Sequence, residues 1–457
     1  MTPTIEMFDE AVIRRTLETA RGDAREVLAK ARELRGLDPE DVAVLMASED
    51  PEVREELFAT ARWAKEEIYG KRLVLFAPLY VSNLCTNECV YCGFRSRNKD
   101  VRRRALNQQE IAAEVKVLVE QGHKRILLLT GEAFPRERSF EYVLETIRTI
   151  YATRSGNGEI RIVNVNVAPL RVEQFRELKG AGIGAYQLFQ ETYHRPTYEA
   201  VHKSGPKRDF DWRVTAMHRA MEAGIGDVGI GPLFGLYDWR FEVLAMMEHI
   251  RSLEREFGCG PHTISVPRLE PAVGSPFQAQ YLVSDDDFLK LIAILRLAVP
   301  YTGMVMSTRE KPALRRATFQ LGISQTSAGS RVDPGGYGEE RPDGGQFQMG
   351  DHRPIDEVVR DIISLGYMPS FCTACYRLGR SGQDFMDLAK PGEIKYNCDP
   401  NAVSTFQEYL TDYASPETRA AGEALIERRL TEMEPAPART AAGFLRQVRS
   451  GKRDVFL

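Results

Sequence analysis

Several features are missing from this 457-residue chain. No apolar run approaches the roughly 20 residues that a membrane-spanning helix requires, so we expect no membrane association. The net charge is only -4, which gives no reason to expect nucleic acid as a partner. Residues 1–21 are charged and contain no apolar core of a secretion signal, so we expect a cytoplasmic protein. An odd number of cysteines, seven, argues against a disulfide framework.

The cysteines that are present fall into two groups. Six of the seven form two sets of three, a pattern typical of metal clusters, while Cys259 stands apart between glycines and is expected to be a packing residue. A zinc site is the alternative for either set, although zinc motifs usually pair two C-x2-C units. The predicted metal ligands are Cys85, Cys89 and Cys92 in the first set and Cys372, Cys375 and Cys398 in the second.

Strand and helix patterns alternate from residue 73 onward. Apolar runs bounded by turn residues predict eight strands, and amphipathic stretches predict helices between them. Eight such units fit a closed (β/α)8 barrel of the TIM type, with an open doubly wound sheet as the alternative. Closure is favoured because the candidate residues given below follow many different strands. The predicted strands are 73–81, 125–130, 160–167, 185–190, 227–234, 263–269, 301–307 and 322–327.

The chain divides into three predicted regions of α/β organisation. Residues 1–70 form a helical extension, 71–330 the barrel, and 331–457 a small, mostly helical domain that carries the second cysteine set. The Gly- and Pro-rich segment 333–345 is either a linker or a cover over the barrel mouth. We expect the Pro-, Ala- and Arg-rich tail 432–457 to be peripheral.

The first cysteine set has the spacing C-x3-C-x2-C and follows the first predicted strand. This motif resembles the signature of the radical S-adenosylmethionine (SAM) enzymes. The resemblance implies a [4Fe-4S] cluster with one iron free of protein ligands, which binds SAM and cleaves it to a deoxyadenosyl radical. It also implies that Tyr91 lies against the adenine and that Glu132, after the second strand, holds the SAM ammonium.

Polar residues at other strand ends are further candidates for binding SAM. Asn164 and Asn166 alternate along the third strand and so point to one face, where they contact the SAM carboxylate or ribose or else bond structurally. Glu191 ends the fourth strand and is expected to reach the ligand. Gly231, on the fifth strand, lets the backbone approach the adenine.

The chain also resembles the radical SAM enzymes that cleave tyrosine. The stretches Phe189-Gln-Glu-Thr-Tyr-His, Val266-Pro-Arg-Leu and Ser307-Thr-Arg-Glu carry this likeness to two families, ThiH and HydG. Both imply cleavage of L-tyrosine to p-cresol and dehydroglycine. Ser307 and Arg309 suit the tyrosine carboxylate, because arginine offers a matching fork of donors. The alternative is an ion pair between Arg309 and Glu310 at the barrel rim.

The second cysteine set favours HydG, the family of [FeFe]-hydrogenase maturases, because ThiH lacks it. The resemblance implies a second [4Fe-4S] cluster, joined through L-cysteine to a further "dangler" iron that a histidine also holds. His262, before the sixth strand, matches that histidine and is a suitable iron ligand. Dehydroglycine would break down there to CO and cyanide for the hydrogenase H-cluster. The implied partners are a ferredoxin or flavodoxin reductant and the other hydrogenase maturases.

Two short stretches depart from the HydG pattern. Thr-Gly-Glu-Ala at 130–133 replaces the usual Ala-Gly-Glu-Asp and looks more like ThiH, and the loop 331–333 also differs. Two alternatives therefore stay open. One is a ThiH-like dehydroglycine (2-iminoacetate) synthase of thiazole biosynthesis with a structural C-terminal metal, and the other is a non-catalytic iron–sulfur scaffold or carrier.

Overall fold

A closed parallel barrel forms the centre of the chain. The computed structural model describes residues 7–135, 139–338 and 345–457. Each strand pairs with the next in parallel, and the first pairs with the eighth through Val74 and Gln325, which closes the barrel. The prediction of a (β/α)8 barrel rather than an open sheet is confirmed. The eight strands are Arg72–Ser82, Arg125–Thr130, Ile162–Asn166, Tyr186–Gln187, Val228–Ile230, Thr263–Ser265, Gly303–Met306 and Gln325–Ser327.

Helices surround the barrel on its outer face and bury their apolar side chains against the strands. Glycines with positive φ follow several of them, at Gly122, Gly182, Gly224 and Gly258, as C-cap chemistry favours. The helices of the barrel region are Gln108–Glu120, Glu141–Ala152, Val172–Gly180, Arg195–Val201, Phe210–Val214, Ala216–Glu222, Trp239–Phe257, Asp285–Ala298 and Pro312–Leu321. A 3-10 turn spans Pro206–Arg208, and an antiparallel hairpin joins Arg154–Ser155 to Gly158–Glu159.

The strands from the fourth to the sixth are shorter than the sequence predicts. Beyond their last ladder pairs, neighbouring chains are joined by isolated bridges, such as Glu191 with Pro232 and Phe234 with Arg268. Apolar residues in these segments, such as Phe189 and Leu233, line the barrel mouth instead of continuing the sheet. Between the fourth and fifth strands, two helices meet at Thr215.

The N-terminal extension is helical, as predicted, and its described residues form four helices. The first two are separated around Gly22, whose φ is +153°. The long last helix packs against helices Asp285–Ala298 and Pro312–Leu321 of the barrel. The four helices are Glu10–Glu18, Ala24–Ala31, Pro39–Ala47 and Pro51–Tyr69.

A ninth strand, which the sequence analysis did not predict, joins the barrel from the C-terminal region. Met368–Ser370 pairs in parallel with the lower part of the first strand, at Arg72 to Val74. The second strand pairs with the same first strand only from Ala77 upward. The ninth strand therefore occupies the place beneath the second strand, and the chain continues from it directly to Cys372.

The C-terminal region is mostly helical, as predicted, but its tail is not peripheral. Helix Pro435–Arg449 packs along Ile394–Asp412 and buries Ala441, Leu445 and Val448. Leu457 bonds through both its backbone N–H and its carbonyl to the side chain of Asn401. The expectation of a peripheral tail was wrong because its alanines and apolar residues share one face of a helix, and this face packs on its neighbour. The helices of this region are Ile355–Ser364, Ala374–Arg377, Gln383–Ala389, Ile394–Asp412, Pro416–Glu432 and Pro435–Arg449.

The connecting segment after the eighth strand lies over the barrel mouth. Val332, Gln346 and Phe347 line the central cavity, and the Tyr80 hydroxyl donates to the Gln346 side chain at 2.8 Å. Residues 339–344, which include part of the predicted loop, lie outside the described residues. In the described ranges no helix has both the length and the apolar character needed to cross a bilayer.

Candidate functional site

A large cavity opens at the C-terminal ends of the barrel strands. Its empty volume, including the part open to solvent, is about 1390 Å³. All three cysteines of the first set line it. The other predicted site residues on its wall are Tyr91, Glu132, Asn166, Glu191, Ser307 and Arg309. Predicted residues from the ends of five different strands therefore lie at one site.

The loop that carries the first cysteines is fixed by a short antiparallel contact. Glu88 accepts from the backbone N–H of Lys203 and donates its own N–H to the Ser204 carbonyl, both at 2.9 Å. Val90 N–H donates to the Val201 carbonyl at 3.0 Å. Tyr91, buried next to the third cysteine, bonds through its hydroxyl to Nε2 of His202 at 2.9 Å. The loop is thus held rigidly against the segment that follows the fourth barrel strand.

The three thiols are free and largely enclosed. Burial raises the pKa of each of them, to about 11 for Cys92. Bare thiols in such a place are costly to ionise, and a bound metal is the usual agent that deprotonates them. Three convergent thiols on one loop fit a [4Fe-4S] cluster with one iron left open. Among the residues that the structure describes, no three His, Cys, Asp or Glu side chains are arranged to hold a single metal ion.

Two carboxylates and two cations form a buried network beside this loop. Arg213 donates to Glu132 at 2.8 Å and lies 3.4 Å from Glu191. Lys207 donates to Glu191 at 2.6 Å and lies 3.9 Å from Glu132. Asn87 donates its amide to the second oxygen of Glu132 at 2.7 Å. The two signs of charge balance each other at the cavity wall.

The network keeps all four groups ionised. Burial alone would raise the pKa of Glu132 and of Glu191, but Arg213 and Lys207 outweigh it and bring both below the usual value. Burial likewise acts to lower the pKa of Lys207 and of Arg213, and the two carboxylates reverse that effect. A wall with fixed charges of both signs is complementary to an amino-acid zwitterion.

The buried side chain of Glu242 accepts hydrogen bonds from the two residues that follow Glu191. Glu191 has a φ of +75°, an uncommon conformation for a residue with a side chain. Glu242, on the helix Trp239–Phe257, accepts from the Tyr193 N–H at 2.8 Å and makes a short hydrogen bond with the Thr192 hydroxyl. Burial raises the pKa of Glu242 to about 8. These bonds fix the two residues after Glu191 and so help to hold its unusual backbone.

Arg309 is left without a carboxylate partner at the cavity wall. Its guanidinium lies 3.3 Å from the centre of the Phe347 ring, and Ser307 Oγ accepts from its backbone N–H at 3.3 Å. Glu310 is instead bound by Arg268, with 2.9 Å from Nε to Oε1. The rim ion pair considered as the alternative for Arg309 is therefore made by a different arginine. In the described part of the chain, Arg309 has no ion pair.

Two of the residues predicted to bind SAM lie away from the cavity wall. Asn164 is one layer deeper in the barrel than Asn166, and its side-chain oxygen is buried without a hydrogen-bond partner. Gly231 packs against the sixth strand, where a Cβ atom would collide with the Ser265 carbonyl. Close strand packing accounts for this glycine. Contact of either residue with SAM stays a prediction.

A second cavity lies at the opposite, N-terminal end of the barrel. Cys372, Cys375 and Cys398 line it together with His262, which immediately precedes the sixth strand. Its empty volume is about 530 Å³. The ninth strand delivers Cys372, while helix Ile394–Asp412 brings Cys398 from behind. The four side chains predicted as ligands of the second metal centre thus share one cavity.

The surroundings of this second cavity fit a metal centre. His262 contacts the rings of Phe385 and Tyr376, and its Nδ1 is buried with no hydrogen-bond partner, 3.5 Å from Asp227. A hydrogen bond with Cys375 lowers the pKa of the Cys398 thiol despite its burial. Buried thiols beside an orphaned imidazole form a donor set that suits iron.

Sequence reasoning missed several charged residues at both sites. Lys207 and Arg213 line the first cavity, and Arg72 and Arg125 line the second. Arg213 gave a usable signal, because it falls on the apolar face of a predicted helix, where a charge is costly without a partner. Arg72 and Arg125 begin the first two strands, and nothing local distinguishes them from ordinary strand ends.

Two family models together match most of the barrel. A family model described as the radical SAM superfamily matches residues 79–249, and one described as the biotin and thiamin synthesis associated domain matches 265–368. The 2-iminoacetate synthase of Escherichia coli (strain K12) is 31% identical over 350 residues, which cover 76% of this chain and 90% of that protein.

Two crystal structures match nearly the whole chain. A structure of HydG, described as a maturase of the [FeFe]-hydrogenase, is 48% identical with a TM-score of 0.95, and the match covers 99% of this chain and 100% of that one. The maturase HydG from Carboxydothermus hydrogenoformans is 40% identical with a TM-score of 0.85, covering 97% of this chain and 100% of that one. Because they cover at least 97% of this chain, both matches include the C-terminal region.

Proposed function

Because this chain belongs to the HydG family of radical SAM enzymes, which are [FeFe]-hydrogenase maturases, we propose that it is an L-tyrosine lyase. Its products at the first cavity are p-cresol and dehydroglycine. At the second cavity, dehydroglycine gives CO and cyanide for assembly of the hydrogenase H-cluster. The observation that carries this proposal is the pairing, at opposite ends of one barrel, of a three-cysteine cavity with a second cavity of three cysteines and His262.

The first cavity offers distinct anchors for two amino-acid groups. Cys85, Cys89 and Cys92 would hold a [4Fe-4S] cluster, which with SAM supplies the deoxyadenosyl radical. The zwitterionic end of SAM suits the wall of balanced charge, where Glu132 accepts from the ammonium and a cation binds the carboxylate. Tyr91 presents a buried ring beside the same loop.

Arg309 and Ser307 are the proposed anchor of the tyrosine carboxylate. The guanidinium is half-buried at the cavity wall, lacks an ion pair among the described residues, and lies over the Phe347 ring. An arginine without an ion pair at this wall costs desolvation free energy unless an anion binds it. A carboxylate matches the fork of donors on the guanidinium. Holding the carboxylate fixes the tyrosine amino group and Cα inside the cavity, where water is largely excluded.

The atoms of the proposed cleavage balance. A hydrogen atom leaves the amino nitrogen of tyrosine, and the Cα–Cβ bond then breaks to give dehydroglycine and a p-hydroxybenzyl fragment. One electron from a ferredoxin or flavodoxin and one proton convert that fragment to p-cresol. Dehydroglycine, C2H3NO2, then equals CO, HCN and one water.

The second cavity is the proposed place of that breakdown. Cys372, Cys375 and Cys398 would hold a second [4Fe-4S] cluster, and His262 a further iron that also carries L-cysteine. Among the described residues the imidazole Nδ1 has no hydrogen-bond partner and lies 3.5 Å from Asp227, so the ring is available as a ligand. The product, an iron carbonyl cyanide unit, would pass to other hydrogenase maturases.

The second candidate function is a 2-iminoacetate synthase like that of E. coli, with a structural metal in the C-terminal region. The identity of 31% and the sequence Thr-Gly-Glu-Ala after the second strand favour it. It predicts p-cresol without CO. It also predicts about four iron atoms plus zinc, whereas two clusters and a dangler iron require roughly eight to nine.

Replacement of Cys372 and Cys375 by alanine separates the two candidates. The protein is reconstituted anaerobically with iron and sulfide, then supplied with SAM, tyrosine and reductant. We expect the double variant to form p-cresol at the rate of the unaltered chain but to release no CO. Cys259→Ala, which removes the one cysteine outside both cavities, is the control and should retain both products. CO released by the double variant would disprove the two-site proposal.

A further inference from the structure

We propose that a group of exposed cations around the first cysteine loop is the docking surface for a small acidic electron-carrier protein of the flavodoxin or ferredoxin class. This surface, called here the basic rim, consists of Arg97, Lys99, Arg102 and Lys203, all exposed. The inference rests on the assignment of a reducible cluster to the three cysteines. It does not depend on tyrosine being the substrate.

Backbone contacts tie three of the four members of the basic rim to the cysteine loop. The N–H groups of Arg97 and Lys203 bond to the side chain and the carbonyl of Glu88, at 2.8 and 2.9 Å. The carbonyl of Arg102 accepts from the amide of Asn83 at 2.7 Å, two residues before Cys85. Lys99 lies between these contacts in the chain. The four cations therefore border the segment that would enclose the cluster.

The charge of the basic rim is free to act on a partner. Within the described residues none of its four members has a carboxylate within 4.0 Å, whereas the neighbouring Arg95 is bound to Glu88 at 2.8 Å. Residues 95–104 contain six cations and one carboxylate, in a chain whose net charge is -4. The positive field is thus local to this loop, and it would draw an acidic surface toward the cluster.

An apolar residue lies beside these cations. Val273 is 42% exposed, and its carbonyl accepts from the side chain of Asn98 at 2.8 Å. Transient electron-transfer complexes have small interfaces with few apolar contacts, and charge supplies most of their orientation. One exposed valine, bonded to Asn98 between Arg97 and Lys99 in the chain, matches that kind of interface.

The basic rim also gives a short covalent and hydrogen-bonded route to the thiols. From the Arg97 N–H the path crosses one hydrogen bond to the side-chain carboxylate of Glu88, the residue before Cys89. A second route runs from the Arg95 N–H to the carbonyl of Cys92 at 3.1 Å. The carrier would lose one electron and the cluster would gain one. A carrier docked here needs no passage through the barrel.

The test measures binding and electron transfer without tyrosine. Flavodoxin and a ferredoxin are each titrated into the anaerobically reconstituted protein, and reduction of the cluster is followed by stopped-flow absorbance. For the triple variant Arg97→Glu, Lys99→Glu and Arg102→Glu we expect the dissociation constant of at least one carrier to rise about tenfold or more at low salt. The difference should vanish at high salt, since the Debye length falls from about 30 Å at 0.01 M to about 3 Å at 1 M.

The matched control reverses three exposed arginines on distant helices, Arg176→Glu, Arg255→Glu and Arg439→Glu. It changes the net charge equally and should leave the dissociation constant within about twofold. Reduction by dithionite monitors the integrity of the cluster in every variant. Unaltered binding of both carriers to the triple variant would overturn the proposal, as would an equal loss in the control. A loss confined to the basic rim supports it even if no tyrosine is cleaved.

Discussion

Arg213 donates from Nη1 to Oε1 of Glu132 across 2.8 Å, in a place where the arginine is almost fully buried. The pair joins a strand-end carboxylate to a cation from a helix that follows the fourth strand. Glu191 and Lys207 complete it, so the wall stays neutral overall while it presents fixed charges to the cavity. These fixed charges are positioned to complement a zwitterion before any ligand binds.

Glu132→Gln keeps the shape of that wall but removes one negative charge. We expect the dissociation constant of SAM to rise at least about tenfold, because the ammonium loses a charged acceptor. Equilibrium binding of SAM to the reconstituted protein measures this. Glu199→Gln, an exposed change on the nearby helix Arg195–Val201, should have no effect. Unchanged affinity in Glu132→Gln would give Glu132 only a structural role.

Arg309→Lys distinguishes a carboxylate fork from a simple positive charge. Lysine keeps the charge but cannot donate two parallel hydrogen bonds, so we expect KM for tyrosine to rise roughly 10- to 100-fold. Cleavage of SAM in the absence of tyrosine should persist. Initial rates of p-cresol formation give KM.

The control for Arg309 is its neighbour. Glu310→Gln weakens the pair with Arg268 and should lower stability while leaving KM for tyrosine unchanged. If Glu310→Gln alters KM as strongly as Arg309→Lys, the rim as a whole, and not the arginine, positions the substrate.

His262→Ala should remove one iron and leave the first site intact. The imidazole is the one histidine on the wall of the second cavity, and we expect iron content to fall by about one atom per chain. Formation of p-cresol should continue, and release of CO should be impaired. Iron analysis after reconstitution is the measurement. An unaltered iron content would show that His262 holds no metal.

Glu242 gives a prediction about pH. Its pKa is about 8 in the folded chain against an ordinary value of 4.5, so the folded state binds the proton more tightly than the unfolded state. As pH rises from about 4.5 to 8, the unfolded state loses this proton first, and stability falls. Glu242→Gln removes that dependence. Unfolding midpoints of both proteins between pH 5 and 9 should therefore diverge in favour of the variant, and parallel curves would contradict the assignment.

The sequence was most informative where the chemistry is local. Cys85, Cys89 and Cys92 lie within eight residues, so their spacing alone predicts convergence on one loop. Ser307 and Arg309 follow a strand, and the geometry of a barrel brings strand ends together. The alternation of strands and helices alone left an open sheet possible, and closure was predicted because candidate residues follow many different strands.

The parts that sequence could not predict depend on distant partners. Lys207 and Arg213 are buried only because Glu132 and Glu191 meet them from other strands. The ninth strand is three residues long and contains Pro369, which argues against a strand on its own. It forms because the first strand is longer than its neighbours and leaves an unpaired edge.

That first strand, Arg72–Ser82, runs from one end of the barrel to the other. Its foot lines the cavity of the second cysteine set, and its last residue leads into the loop of the first. Ten steps of about 3.3 Å set a span of roughly 33 Å that neither site can change alone. Insertions in the outer loops leave this span unchanged. A residue inserted into the strand or deleted from it would shift one cysteine cavity relative to the other. The distance between the two cysteine cavities is therefore set by the length of one β-strand.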